Sequence, residues 1–329
     1  MEPHWQKQGY LFLASQNISL FGTMVTGYAI TWYISLKTGS GLWLALATVC
    51  YLLPQILISL VGGAWADKYS RKWLIMGADG SIALLTLILA IIWGTGHQSI
   101  WLLLGFSVLR SIGQGIQQPA VSSAYPQLVP EDELTRINGI NQTVMSLATL
   151  LSPVLGGIIL ANFNLVWALM VDVFTAIIEL ACMTKIKLKA VRQTVEAVEE
   201  SIKQNEQDLL SGIKYLYQNT KLRQLFILAG IGFLMMTPAT VLSLLFVQRE
   251  FGASVTNLTL QEIFWAGGSV LSGLMVAKHK EFKNNAKVLG MAIAAFAFIM
   301  MLMGFSPVIG IYFAAMFALG VCSPYYMTT

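Results

Sequence analysis

An all-α integral membrane fold is predicted by three observations. Of the 329 residues, 56% are hydrophobic and only 11% are charged, against roughly 25% charged in soluble domains. Apolar stretches of 18 or more residues recur from end to end, each long enough as a helix to cross a hydrocarbon layer of ~30 Å. The charges that remain collect in the connections between those stretches. Backbone N–H and C=O groups inside lipid must pair within their own segment, so the apolar stretches are read as helices.

Ten spans follow in order. The first, 10–36, carries Gln16 and Asn17, is too long for the core of a signal peptide and lacks a cleavage site, so it is read as a retained span. The second, 41–64, ends in the run "GGAWADKYSRK", where an acid and three bases fall within six residues, and the third, 73–95, starts beyond it. The fourth, 99–124, contains Arg110, and the fifth, 138–161, holds the small-residue and proline stretch "ATLLSPVLGG". The sixth, 164–185, carries Asp172 and Glu179 two turns apart on one face. A polar segment, 186–221, separates it from spans 222–247, 258–277, 286–304 and 306–327. Within that segment Leu209, Leu210, Ile213, Leu216 and Tyr217 recur at helical spacing, which predicts an amphipathic helix on the membrane surface. Its acidic first half reads equally well as a solvated linker.

Lys and Arg set the orientation. Alternate connections, starting with the N-terminus, hold 17 of the 20 bases, while the opposite connections hold only Lys37 and Arg249. By the positive-inside rule the N-terminus and the polar segment are cytoplasmic. The formal charge of +4 is therefore an orientation signal and not a footprint for nucleic acid. Gly63, three residues, Asp67 and Lys68 after the second span are echoed by Gly273, three residues, Ala277 and Lys278 after the eighth, a weak repeat of the kind that duplicated transporter halves leave.

Other chemistries find no support. Cys50, Cys182 and Cys322 lie in apolar runs without metal-like spacing. His4, His97 and His279 are isolated, there is no phosphate-cradling loop, and no nucleophile stands at catalytic spacing from a base. No enzyme activity, cofactor, metal or nucleotide is expected.

The run "GAWADKYSRK", with Gly63, Asp67, Lys68, Ser70, Arg71 and Lys72, is similar to the signature of the major facilitator superfamily between spans two and three: Gly, three residues, Asp, Arg or Lys, any residue, Gly or Ser, Arg, then Arg or Lys. Two further signatures fall at the expected places. "RSIGQG" runs from Arg110 through Gly113 to Gly115 in span four. Ala148, Ser152, Pro153, Gly156 and Gly157 in span five resemble the pattern Gly, three residues, Gly-Pro, two residues, Gly-Gly, with small residues in place of the two leading glycines. Within the superfamily that third pattern marks exporters that work as antiporters. The stretches "QQPAVSSAYPQLVPEDELTRINGINQ" and "DLLSGIKYLYQN" most resemble the macrolide-efflux group of bacterial drug exporters.

The resemblance implies the major facilitator fold: a six-helix N-terminal bundle over 1–185, a cytoplasmic linker over 186–221, and an incomplete C-terminal bundle of four spans over 222–329, the last two of the usual six plus six being absent. It also implies roles. Gly63 is expected to admit a close helix approach, and Asp67, Lys68, Arg71 and Lys72 are expected to form a cytoplasmic gate, the bases also holding lipid phosphate. An arginine at the place of Arg110 is associated in the family with proton coupling, and one placed near mid-membrane is costly unless it meets a partner or a cavity. Burial favours the neutral form of a carboxylic acid, so Asp79, Asp172, Glu179 and Glu262 are candidates for carrying the exchanged proton, with Asp79 and Glu262 preferred because spans adjoining the central cavity are expected to bring them towards Arg110.

Arg110, Gln114, Gln117 and Gln118 share one helix face and are expected to line water. With Gln16 and Thr23 of span one and Gln142 of span five they make the expected substrate cavity. Aromatic residues suit a bulky lipophilic or cationic molecule better than a sugar. The sequence thus predicts a multi-pass protein of the bacterial cytoplasmic membrane that exports a lipophilic, drug-like compound, a macrolide among the candidates, by proton antiport with alternating access. Two alternatives stay open: a nutrient or siderophore transporter of the same fold, and a truncated, non-transporting membrane fragment.

Overall fold

The computed structural model describes residues 4–188, 215–276 and 285–328, and all regular structure among them is helical. The helices are α1 His4–Thr38, α2 Gly41–Lys68, α3 Arg71–Gly94, α4 Ile100–Leu128, α5 Glu131–Asn162, α6 Leu165–Lys185, α7 Thr220–Glu250, α8 Val255–Val276, α9 Asn285–Gly304 and α10 Ile309–Thr328. Most of the expected amphipathic segment, including Leu209, Leu210 and Ile213, lies outside the described residues, as does the second copy of the repeat at Ala277 and Lys278.

Hydropathy alone accounts for α2, α3, α5 and α6, each of which holds an 18-residue window of mean hydropathy between 2.1 and 2.2. Helices outrun their apolar cores where the flanking chemistry permits. The fifth apolar run starts at residue 138, yet α5 begins at Glu131, because Glu131, Asp132 and Glu133 occupy its first turn and carboxylates there oppose the positive end of the helix dipole. At the end of α1, Gly39 takes φ +57°, and after α7 Gly252 takes φ +97°, a left-handed conformation that side chains resist and that stops a helix.

The first six helices pack on one another chiefly through the pairs α2 with α4, α1 with α6, α3 with α4, α3 with α6 and α1 with α5. In the second half α10 packs against both α8 and α9, and α5 against α8 is the main contact joining the halves. Glycines admit the tightest crossings. A β-carbon at Gly62 of α2 would strike the carbonyl oxygen of Gly115 on α4, and one at Gly115 would meet that of Gln55. Gly268 of α8 and Gly320 of α10 meet the carbonyls of Phe317 and Trp265 in the same manner. The close approach expected at Gly63 therefore falls one residue earlier: Gly62 faces α4, whereas a β-carbon at Gly63 would meet no described atom within 4 Å.

Two apolar clusters cap the interior. One holds Phe12, Ile75, Tyr125, Ile137 and Met183; the other holds Trp32, Trp93, Leu103, Leu169 and Tyr312. Along α1 the stretch between Leu13 and Val25 buries Ser15, Gln16, Asn17 and Ser19 instead, so a polar band lies between the two apolar ends.

Candidate functional site: a buried ionic network

Arg110 of α4 and Asp172 of α6 meet in that band, with Nη2 2.8 Å from Oδ2 and both side chains almost fully buried. Thr23 of α1 donates to Asp172 Oδ1 at 2.8 Å. Thr86 of α3 lies 3.1 Å from Oδ2, dividing its proton with the Ile82 carbonyl. Four helices thus converge on one carboxylate. A charge taken out of water has to be paired and hydrogen-bonded, and Asp172 is both. The acid that reaches Arg110 is Asp172, not the preferred Asp79 or Glu262, because α4 and α6 both pack on α3 and their inward faces meet beside it.

Toward the other end of the same band, Gln16 donates to Glu179 Oε1 at 2.8 Å, and Gln117 donates to Gln16 Oε1 at 3.2 Å. Asp79 is 5% exposed. It sits beside Gln117 and within electrostatic range of Glu179 and Asp172. Three ionisable side chains keep an atom without a hydrogen-bond partner: Asp79 Oδ2, Glu179 Oε2 and Arg110 Nη1.

The other candidates are spread more widely. Gln114 is half-buried, with Oε1 unpartnered. Gln118 accepts from Gln55 of α2 at 3.1 Å and is exposed, as is Gln142. Around the opening signature, Arg71 donates to the Ala66 carbonyl at 3.1 Å and lies 3.8 Å from the half-exposed Asp67. Lys72 binds the carbonyls of Thr184 and Ile186 at 3.0 and 2.7 Å, and Lys68 lies 5.0 Å from the centre of the Tyr69 ring. On α5, Ala148, Ser152, Pro153, Gly156 and Gly157 are all buried. A β-carbon at Gly156 would press on the Val25 carbonyl of α1, and one at Gly157 on Thr259 of α8, so this small-residue stretch forms the joint between the halves.

Glu262 belongs to a second cluster. It takes a long contact of 3.4 Å from Gln261, whose Oε1 accepts from Tyr312 OH at 2.9 Å, and Tyr28 and Tyr312 lie within its electrostatic reach. Thr86, Gln261 and Tyr312 were not singled out from sequence. Thr86 could have been, since it stands seven residues after Asp79 on the same helix face; Tyr312 gives no signal among its apolar neighbours. Among the described residues no group of three His, Cys, Asp or Glu side chains is placed to hold a metal ion.

At the end of the molecule that holds Lys37, a cavity of about 360 Å³ opens between α1, α3, the α5–α6 turn and α8, walled by Tyr33, Trp93 and Phe163.

The family model described as Major Facilitator Superfamily matches residues 12–329. Macrolide efflux protein A of Streptococcus pyogenes is 24% identical over 325 residues, covering 98% of this chain and 80% of that protein. The protein of the same name from Enterococcus faecalis is 23% identical over 290 residues, 88% of each chain. Among solved structures, a bacterial homologue of the human lysosomal transporter Spinster superposes with a TM-score of 0.71 at 14% identity, covering 99% of this chain and 74% of that one.

Proposed function

Because the chain belongs to the major facilitator superfamily, a family whose matched relatives here are transporters and not enzymes, and because it is a multi-pass membrane protein, we propose that it exports a lipophilic or cationic drug-like molecule from a bacterial cell in exchange for protons. The observation that carries this reading is the likeness to macrolide efflux proteins over most of the chain. Macrolides are the first substrates to test.

In this reading residues 1–185 and 222–329 are two bundles joined by the linker 186–221, with the N-terminus in the cytoplasm, and they rock against each other to expose the site to either side. The contact of α5 with α8 supports a rocking joint, since Gly157 leaves room on α5 for the Thr259 side chain of α8. Asp67, Arg71, Lys68 and Lys72 serve as the cytoplasmic gate and as lipid contacts. The Arg110–Asp172 pair gives the first bundle a fixed buried charge against which protonation of neighbouring acids can act. Glu262, close to Tyr28 at the junction of the halves, supplies a carboxylate among aromatics, which suits a bulky cation. Gln114, Gln118 and Gln142 keep polar surface for the substrate's oxygens.

The test is accumulation of a labelled macrolide and of a lipophilic cation in cells expressing this chain, with and without an uncoupler. Lower accumulation that the uncoupler abolishes is expected. Accumulation above that of empty cells marks an importer, and equality with empty cells, with the protein shown to be in the membrane, overturns export of these compounds.

A further inference from the structure

Three carboxyl groups and one guanidinium are buried inside the first six helices: Asp79, Asp172, Glu179 and Arg110. Charge removed from water must be paired or neutralised. Arg110 and two threonines satisfy Asp172, which leaves two acids and no second cation.

Among the described residues the surroundings supply none. Helix α1 presents the neutral Gln16 and Thr23, and α4 presents Gln117 besides Arg110. Helix α2 contributes Tyr51, which faces Arg110. The charged residues of α5 are Glu131, Asp132, Glu133 and Arg136, all in its first two turns. Neither unmatched acid is hydrogen-bonded at both oxygens, as a buried ionised carboxylate would have to be. Glu179 accepts at Oε1 and is unpartnered at Oε2, and Asp79 is unpartnered at Oδ2. The amides of Gln16 and Gln117 lie between them and are bonded to each other.

We infer that Asp79 and Glu179 form a carboxyl pair, linked through Gln16 and Gln117, that carries exchangeable protons at Asp79 Oδ2 and Glu179 Oε2 while Asp172 stays ionised as the fixed counter-ion of Arg110. Release breaks one O–H bond and sends the proton to whichever water the bundle admits. Coupling of that proton to a substrate rests on the antiport reading above; the existence of the pair does not.

The experiment is infrared difference spectroscopy of the full chain in lipid bilayers on an alkaline jump, following the carbonyl stretch of protonated carboxylic acid. Wild type is expected to lose signal from this band, Asp79→Asn and Glu179→Gln each to remove part of that loss, and the double variant to remove both parts. An amide mimics the neutral acid, so both variants are also expected to keep the wild-type thermal midpoint. A wild type with no such band, a double variant with the whole of it, or a marked fall in the midpoint of Glu179→Gln would each overturn the pair. In vesicles, the double variant is expected to exchange labelled erythromycin across the membrane but to lose efflux driven by a pH gradient. A responsive band in wild-type protein that shows no pH-driven efflux supports the pair and overturns the antiport reading instead.

Discussion

Helices α2 and α4 in the first half and α8 and α10 in the second cross alike, with glycines pressed onto the facing backbone at Gly62 and Gly115 and again at Gly268 and Gly320. Beyond those crossings the two interiors share little chemistry. The first encloses an ion pair and a chain of amides and carboxyls. The second is built on stacked rings, with Phe246 over the buried Tyr312 at 5.5 Å and the exposed Phe264 over Phe313 at 5.1 Å, and its polar centre is the bond between Tyr312 and Gln261 beside Glu262. Backbone geometry and interior chemistry are thus separable: one helix crossing supports a charged interior or an aromatic one, because glycine contact fixes the approach while other helix faces choose the filling.

The largest expected effect comes from making the first half resemble the second. Arg110→Ala leaves Asp172 charged, buried and unpaired, and costs about 3–5 kcal/mol. Membrane insertion should persist while uncoupler-sensitive efflux falls to the level of empty cells; retained efflux removes Arg110 from the coupling site. Replacing both partners, as Arg110→Met with Asp172→Leu, should restore most of the thermal midpoint without restoring efflux, because an apolar pair no longer buries a lone charge.

Next come the shared crossings. Gly115→Val and Gly320→Val should each cost about 1–3 kcal/mol by overpacking, read as a lowered midpoint in detergent. Similar losses would sharpen the likeness of the halves, and a neutral Gly320→Val would break it. A smaller change is expected for Tyr312→Phe, which removes one neutral hydrogen bond and should cost about 1 kcal/mol; efflux should keep its uncoupler sensitivity, since this residue lies outside the Arg110–Asp172 network of the first half. Lys68→Gln, at the membrane edge beside Tyr69, should stay within about 0.5 kcal/mol of wild type, so a larger shift in its midpoint would point to a contact beyond the Tyr69 ring.

The helices were legible because apolar runs of membrane length leave few alternatives. Arg110 was legible for the same reason, since one arginine in such a run stands out by its cost. Its partner was not. Asp172 is 62 positions away, and from sequence every intramembrane acid looks alike; only the packing of α6 on α1 and α3 singles it out. Gly62 and Gly63 are likewise indistinguishable until the rotation of α2 against α4 is known. Tyr312 was hidden by the opposite problem, as an aromatic residue in an apolar helix is unremarkable until its hydroxyl meets Gln261.

One modest attachment bears on how the molecule is made. Lys72 holds the last carbonyls around the end of α6, and the Lys187 N–H donates to Gln8 at 2.9 Å, so the chain is tied back to its own beginning just as it leaves the sixth helix. Every partner in the ionic network lies between Gln16 and Glu179. On the ribosome, where earlier segments fold first, the charged interior can therefore close before α7 has been synthesised, and the nascent second half meets a finished template.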